Sequence, residues 1–287
     1  STAAGRSGEP NDVFVGNKGK PVSRASDYLN EGVLPREVWS WACYDFANSG
    51  YTTVVITAIF NAYFVAVVAG NATWATFAWT AALSVSYVAI VITAPLIGAW
   101  ADAHAAKKRA LAVTTLGCIA GTAALYFAGP GNFAIAIAAL VISNFFFGTG
   151  ENVIAAFLPE LAKDSALGKV SGWGWSFGYI GGILSLGISF AYVVFAQGQG
   201  QTAEQYVPVT MLITAAIFAL ASLPTFLILK ERALPQRQAS GAYAQTFARF
   251  RETVRHASRY RDLARFLVCI LLYQAGVQTV ISIAPSA

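Results

Sequence analysis

Apolar residues run through this chain in long unbroken stretches. Seven stand out, at about 42–69, 76–101, 110–128, 132–158, 171–196, 207–229 and 264–284. Each reaches the roughly 20 residues that a helix needs to cross about 30 Å of hydrocarbon. None alternates with the period of two of a barrel strand. Backbone N–H and C=O groups in lipid must pair within their own segment, so the pattern predicts seven transmembrane helices. Composition agrees: 56% of the 287 residues are hydrophobic and 11% are charged, where a soluble domain carries about 25% charged residues. A soluble fold of this length cannot hide that much apolar surface in one core. A cytosolic enzyme and a disordered chain are thereby excluded.

The net charge of +5 does not point to nucleic acid, because of where the charges fall. Basic residues occupy the N-terminal tail (Arg6, Lys18, Lys20, Arg24, Arg36) and the connection between helices 2 and 3 (Lys107, Lys108, Arg109). The rest lie between helices 4 and 5 (Lys163, Lys169) and from Lys230 to Arg265 before helix 7. The intervening loops near 70–75, 129–131 and 197–206 carry no Lys or Arg, nor does Pro285-Ser286-Ala287. The positive-inside rule then puts the N-terminus in the cytoplasm. Tryptophans are expected as interfacial belts, with Trp39, Trp41, Trp100, Trp173 and Trp175 at inner helix ends and Trp74 and Trp79 at an outer end. Cys43, Cys118 and Cys269 fall in apolar stretches and read as small packing residues.

The organisation follows from these segments. Residues 1–35 read as a flexible cytoplasmic tail with no signal-peptide core, and 36–230 as a six-helix unit. Residues 231–263 read as a basic cytoplasmic loop, and 264–287 as a further helix. Within the loop, Phe247, Phe250, Val254 and Ala257 recur at helical spacing, with Arg249, Arg251, Arg255 and Arg259 on other faces. That is a basic amphipathic helix suited to an anionic leaflet.

Six helices, a long basic loop and a seventh helix form the layout of a major facilitator transporter interrupted early in its second half. Such transporters have two six-helix halves, each a pair of inverted three-helix repeats. The run Gly98-Ala99-Trp100-Ala101-Asp102, followed by Lys107-Lys108-Arg109, resembles the superfamily's signature loop between helices 2 and 3. In that reading Gly98 permits close helix approach and Asp102 accepts from a neighbouring helix N-terminus. The bland alternative is a positive-inside anchor. The loop departs from the pattern at Ala103, Ala105 and Ala106, where a basic residue, a Gly and an Arg are usual. More specific are Trp41-Ala42-Cys43-Tyr44-Asp45-Phe46-Ala47-Asn48-Ser49, the segment Asn152 to Leu161, and the segment Val170 to Gly182. Together they resemble the family named after the fungal vacuolar amino-acid effluxer linked to autophagy, which includes many bacterial permeases. The resemblance covers about 36–284.

The resemblance implies an all-α transmembrane protein, a six-helix bundle of two inverted triplets plus a seventh helix. It implies a secondary transporter in a bacterial inner membrane, without a cofactor or catalysis. The transporter moves a small solute by alternating access, with amino acids suggested by the fungal member. The expected partners are that solute, protons, the lipid bilayer, and a C-terminal half or a second copy. Many proton-antiporting relatives carry an Arg where Asn144 stands, which argues against that type and leaves other proton coupling open.

Two acids fall inside apolar segments, Asp45 and Glu151. An ionised acid near a bilayer centre costs on the order of 2.5–3.5 kcal/mol on insertion scales, so it faces a cavity or a partner. Asn48 and Ser49 follow Asp45 by nearly one turn, and Asn144 and Gly148 precede Glu151 at i−7 and i−3, giving each helix a polar face. The candidate substrate or proton groups are Asp45, Asn48, Glu151 and Asn152. The alternative is a neutralised acid bonded to a neighbouring helix or sitting at the interface. Gly174, Gly178 and Gly182 form a small-residue stripe for helix contact on helix 5, and Gly117 and Gly121 do the same on helix 3.

Other classes fit less well. An intramembrane aspartyl protease is approached by Tyr44-Asp45 and Gly148-Thr149-Gly150-Glu151, but two helices intervene and the second acid is Glu. A G-protein-coupled receptor has its N-terminus outside, and a retinal protein needs a Lys in its last helix, where none follows Lys230. A non-transporting scaffold or inactive half-transporter is the remaining alternative. The charge pattern makes a direct prediction. In a cysteine-free background, single cysteines at Ala72 and Gln201 should react with an impermeant thiol reagent from outside, and one at Ser240 only from inside. Labelling of the Ser240 position from outside would reverse the topology.

Overall fold

The computed structural model describes residues 27–233 and 261–283. The tail before 27 and the expected amphipathic helix at 247–260 lie outside the described residues. Six helices are long and apolar enough to span a membrane: α1 (Pro35–Val68), α2 (Ala75–His104), α3 (Lys107–Phe127), α4 (Phe133–Leu161), α5 (Asp164–Gly198) and α6 (Ala203–Ile228). A seventh, α7, covers Arg261–Ile283, with an apolar stretch described over Arg265–Val277. The protein is an all-α, multi-pass membrane protein. The sequence pattern places the six helices within seven residues of their ends and the seventh within three of its own.

Local chemistry sets the ends. Pro35 opens α1 after the extended Leu34, where a missing N–H costs nothing. The Glu37 carboxylate accepts from the Leu34 N–H at 3.2 Å. Thr52 to Thr57 are six consecutive β-branched residues, which crowd one another on an α-helix. Here α1 widens into a π-helix over Thr52–Ala58, closed by Ile59 N–H donating to the Val54 carbonyl at 3.0 Å. A second π-helical stretch covers Phe64–Val68. At the end of α2, Ala105 adopts a left-handed φ of 46°, the conformation that glycine takes without penalty. It is the position where the signature loop usually has Gly.

Helix α1 is the centre of one group, against α5 and α6, while α4 packs on α2 and α3, and α3 touches α6. Side chains tie the groups together. The Trp41 indole donates to the Ile154 carbonyl at 2.9 Å. The hydroxyls of Tyr44 and Thr115 share a bond of 3.0 Å, and those of Tyr51 and Ser143 one of 2.9 Å. Trp41 and Trp79 are therefore core residues rather than belt residues, Trp79 lying against Phe60 and Phe64. Trp39, Trp74, Trp100 and Trp173 are exposed at helix ends.

Residues 27–34, expected within a free arm, are docked. Asn30 N–H donates to Leu161 O and Lys163 N–H to Tyr28 O, Leu29 and Val33 are buried, and the Lys169 ammonium sits 3.8 Å from the Tyr28 ring centroid. Helix α7 rests on the Thr52–Ala58 part of α1 and on α2, with its side chains from 265 to 276 exposed.

The tightest contact joins α1 and α5. A Cβ on Gly174 would lie 2.9 Å from Asp45 Oδ2, one on Gly178 2.8 Å from Ser49 Oγ, and one on Gly182 2.9 Å from Thr53 Oγ1. One on Gly181 would strike the Phe46 carbonyl. The stripe thus faces α1. Gly178→Leu should lower thermal stability in detergent by roughly 1–3 kcal/mol, the usual range for overpacking. Gly187→Leu, on open surface, should leave it unchanged. Equal melting of the two variants would refute the contact.

Candidate functional site

Along α1, Asp45, Asn48, Ser49, Thr52 and Thr53 recur at the spacing of one helical face. The structure turns that face toward Glu151 and Phe147 of α4 and toward Trp175, Gly178, Tyr179 and Gly182 of α5, enclosing an open-sided cavity of about 350 Å³. Because α5 carries no side chain at 174 and 178, the Asp45 carboxylate fits between the two helices. Asn48 is 4% exposed, and neither its Oδ1 nor its Nδ2 has a partner. Asp45 is half-buried and Glu151 is exposed on the open side. The two acids line the same cavity. Tyr51 stacks on Phe147 at 4.7 Å behind the wall.

The polar face expected on α4 divides in two. Phe147 and Glu151 look into the cavity. Asn144 is fully buried toward α2, with its Nδ2 donating to Ser86 Oγ, and a Cβ on Gly148 would meet Ile90. Asn152 joins neither Asp45 nor Glu151. It lines a separate crevice of about 100 Å³ with Gly98, Asp102 and Lys107. A helix turns about 100° per residue, so neighbours in sequence look to different sides.

Comparison with known proteins bears on this arrangement. Residues 64–286 match the model of a family described as vacuole effluxer Atg22 like. This chain belongs to that family. It is also 27% identical over 257 residues to an uncharacterized MFS-type transporter, YxiO, of Bacillus subtilis (strain 168), across 86% of this chain and 59% of the relative. The chain thus spans about three fifths of the length of the curated relative it matches. No solved structure matches it. The bundle is accordingly a partial major facilitator bundle, and the family and the relative are named as an effluxer and a transporter, not as enzymes. The intramembrane protease reading falls with this. Tyr44, its other signature residue, is buried against Thr115.

The family match takes in Glu151 and the loop after α2, and begins beyond Asp45 and Asn48. In the loop, Asp102 is 55% exposed and 3.6 Å from the Lys107 ammonium. It does not cap a helix. That role falls to Glu231, whose carboxylate accepts from the backbone N–H groups of Lys107 at 2.6 Å and Lys108 at 3.2 Å at the start of α3, where the helix dipole favours an anion. Lys108 reaches the other way, donating to the Phe226 and Leu229 carbonyls at the end of α6, both at 2.8 Å. Lys107 pairs with Glu160 at 2.9 Å. Glu160 also accepts from the Arg232 N–H at 2.8 Å. Arg109 is exposed, and among the described residues nothing comes within 4 Å of a Cβ built on Gly98.

The network ends at Glu37, 1% exposed and 2.8 Å from the Arg232 guanidinium. Glu37, Glu160, Glu231 and Arg232 were not singled out by sequence reasoning. The available signal was that each of these acids stands at a helix end on the otherwise basic side. Breaking a buried pair from one side strands the other charge. Arg232→Ala should therefore cost on the order of 3 kcal/mol of stability, and adding Glu37→Gln should restore much of it. A loss under about 1 kcal/mol in chemical or thermal unfolding would mean that the pair behaves as a surface ion pair.

Proposed function

We propose that this chain forms a solute-binding half of a secondary active transporter, a permease or effluxer that works by alternating access. Amino acids are the solute class that the family resemblance favours. The observation that carries the reading is the cavity itself. Two carboxylates and an unpaired, buried Asn48 converge among membrane-spanning helices at the open side of the bundle. Membrane-level acids are retained where they meet a solute, an ion or a proton, and a volume of this order matches small-ligand sites of about 300–1,000 Å³. Asp45 and Glu151 serve as solute or proton groups, and Asn48 as a hydrogen-bonding anchor. The loop of Gly98, Asp102, Lys107, Lys108 and Arg109 takes part in the conformational change. The topology has the N-terminus in the cytoplasm and the bundle in a bacterial inner membrane.

Glu151→Gln tests this in the full-length protein reconstituted in liposomes. The amide keeps the shape of the side chain but cannot ionise. Uptake or efflux of labelled amino acids should fall at least roughly tenfold, as expected when an interaction with a charged group is lost, with expression and melting temperature kept. Unchanged flux across the pH range would make Glu151 a packing residue, and absence of flux in the parent protein would favour a scaffold.

A further inference from the structure

The chemistry of the cavity wall specifies the charge of what binds there. We infer that this half of the site is a subsite for an organic cation, a protonated amine. The inference rests on the transport reading above and narrows it.

Four features of the wall lead to it. Asp45 and Glu151 give the lining two acids, and among the described residues no lysine, arginine or histidine lines it. The basic residues of the described helices stand instead at the starts of α1 (Arg36) and α7 (Arg261, Arg265), near the loops between α2 and α3 and between α4 and α5, and at the end of α6. Two acids facing one space of low dielectric repel each other when ionised, and positive charge between them, from a proton or a bound cation, relieves that repulsion. Second, the Asn48 amide is sealed from solvent with both polar ends unpaired, although it stands on the cavity face. An unpaired buried amide is matched by a ligand that donates to Oδ1, and an ammonium brings three donors. Third, Phe147, Trp175 and Tyr179 supply aromatic faces in the same wall, and such faces attract cations. Fourth, the remaining polar side-chain atoms are the hydroxyls of Ser49, Thr52, Thr53 and Tyr179, each able to accept, and the Trp175 indole N–H. Thr52 already donates to the Asn48 carbonyl at 3.2 Å, which leaves its lone pairs to accept.

The consequence for an amino acid is specific. Its ammonium belongs to this wall, while its carboxylate finds no basic partner in the lining. A bare amine satisfies the wall as completely as an amino acid does, and an anion is repelled by it.

The experiment compares three probes of one size on the purified protein by isothermal titration calorimetry: benzylammonium, benzyl alcohol and phenylacetate. Benzylammonium should bind at least roughly tenfold tighter than benzyl alcohol, the ratio expected for a hydrogen bond to a charged group, and phenylacetate should not bind. Asp45→Asn and Glu151→Gln, each shape-conserving, should each weaken benzylammonium by roughly tenfold or more. Glu204→Gln, which removes an acid outside the cavity, should have no effect. Asn48→Ala should weaken binding less than either. The comparison among probes needs no variant, so it stands even if a variant fails to fold. Phenylacetate binding as tightly as benzylammonium would overturn the inference. So would amine binding that survives the double variant Asp45→Asn/Glu151→Gln. Flux that depends on Glu151 without any preference for the amine would overturn the cation subsite and leave the transport reading intact. An amine preference lost in Asp45→Asn would support the subsite even if flux proved independent of Glu151.

Discussion

Polar groups in hydrocarbon must be met at short range by other groups, and in this bundle that is possible because α5 has no side chains where α1 crosses it. Gly174, Gly178, Gly181 and Gly182 bring one backbone nearly onto the other. The approach buries α1, sets the Asp45 carboxylate between the two helices, and leaves the next turns of α1 as a hydroxyl- and amide-lined wall. The cavity is what remains where this contact opens toward α4. With bulky residues in the stripe, Asp45 would be pushed to lipid, where it has no favourable partner.

A second device operates at the basic end of the bundle. The start of α3 and the end of α6 exchange partners, Glu231 capping one and Lys108 capping the other. Through Lys107, Glu160, Arg232 and Glu37 the same charges reach the loop after α4 and the first turn of α1. Among the described residues, each connection on that side is therefore anchored to another helix. The docked residues 27–34 extend the arrangement, pairing backbone to backbone with residues 161–163. On the opposite side the connections rely on backbone turns such as Gly70-Asn71 and Gly131, all with positive φ.

Hydropathy made the helices legible because a span is a one-dimensional property, a count of apolar residues against a thickness. The grouping of Asp45 with Asn48 was legible for a similar reason, since i and i+3 share a face whatever surrounds the helix. Contact partners were not legible. Asn144 and Asn152 flank Glu151 at distances that suit a common face only loosely, and the structure turns both toward α2 instead of the cavity. Trp41 and Trp79 stand at the sequence positions of interfacial residues, yet the bundle closes over them. The Glu37–Arg232 pair joins residues 195 apart, and no local pattern announces it. Asp102 matched a motif, and Glu231, which caps the helix beside it, matched none.

The π-helical part of α1 has a consequence for the register of the chain. A π-turn holds one residue more than an α-turn, so the segment Thr52–Ala58 shifts the angular phase of everything beyond it. Asp45 to Ser49 and the outer residues Phe60 and Phe64 are thus set on their respective neighbours by two different phases within a single helix. The inner phase answers to the cavity and the outer one to Trp79. An insertion or deletion of one residue elsewhere in α1 would rotate one of these faces away from its partner. Between 52 and 58 the coil already contains the slack to absorb a one-residue deletion by tightening to α, so the faces on either side of this stretch can keep their separate partners.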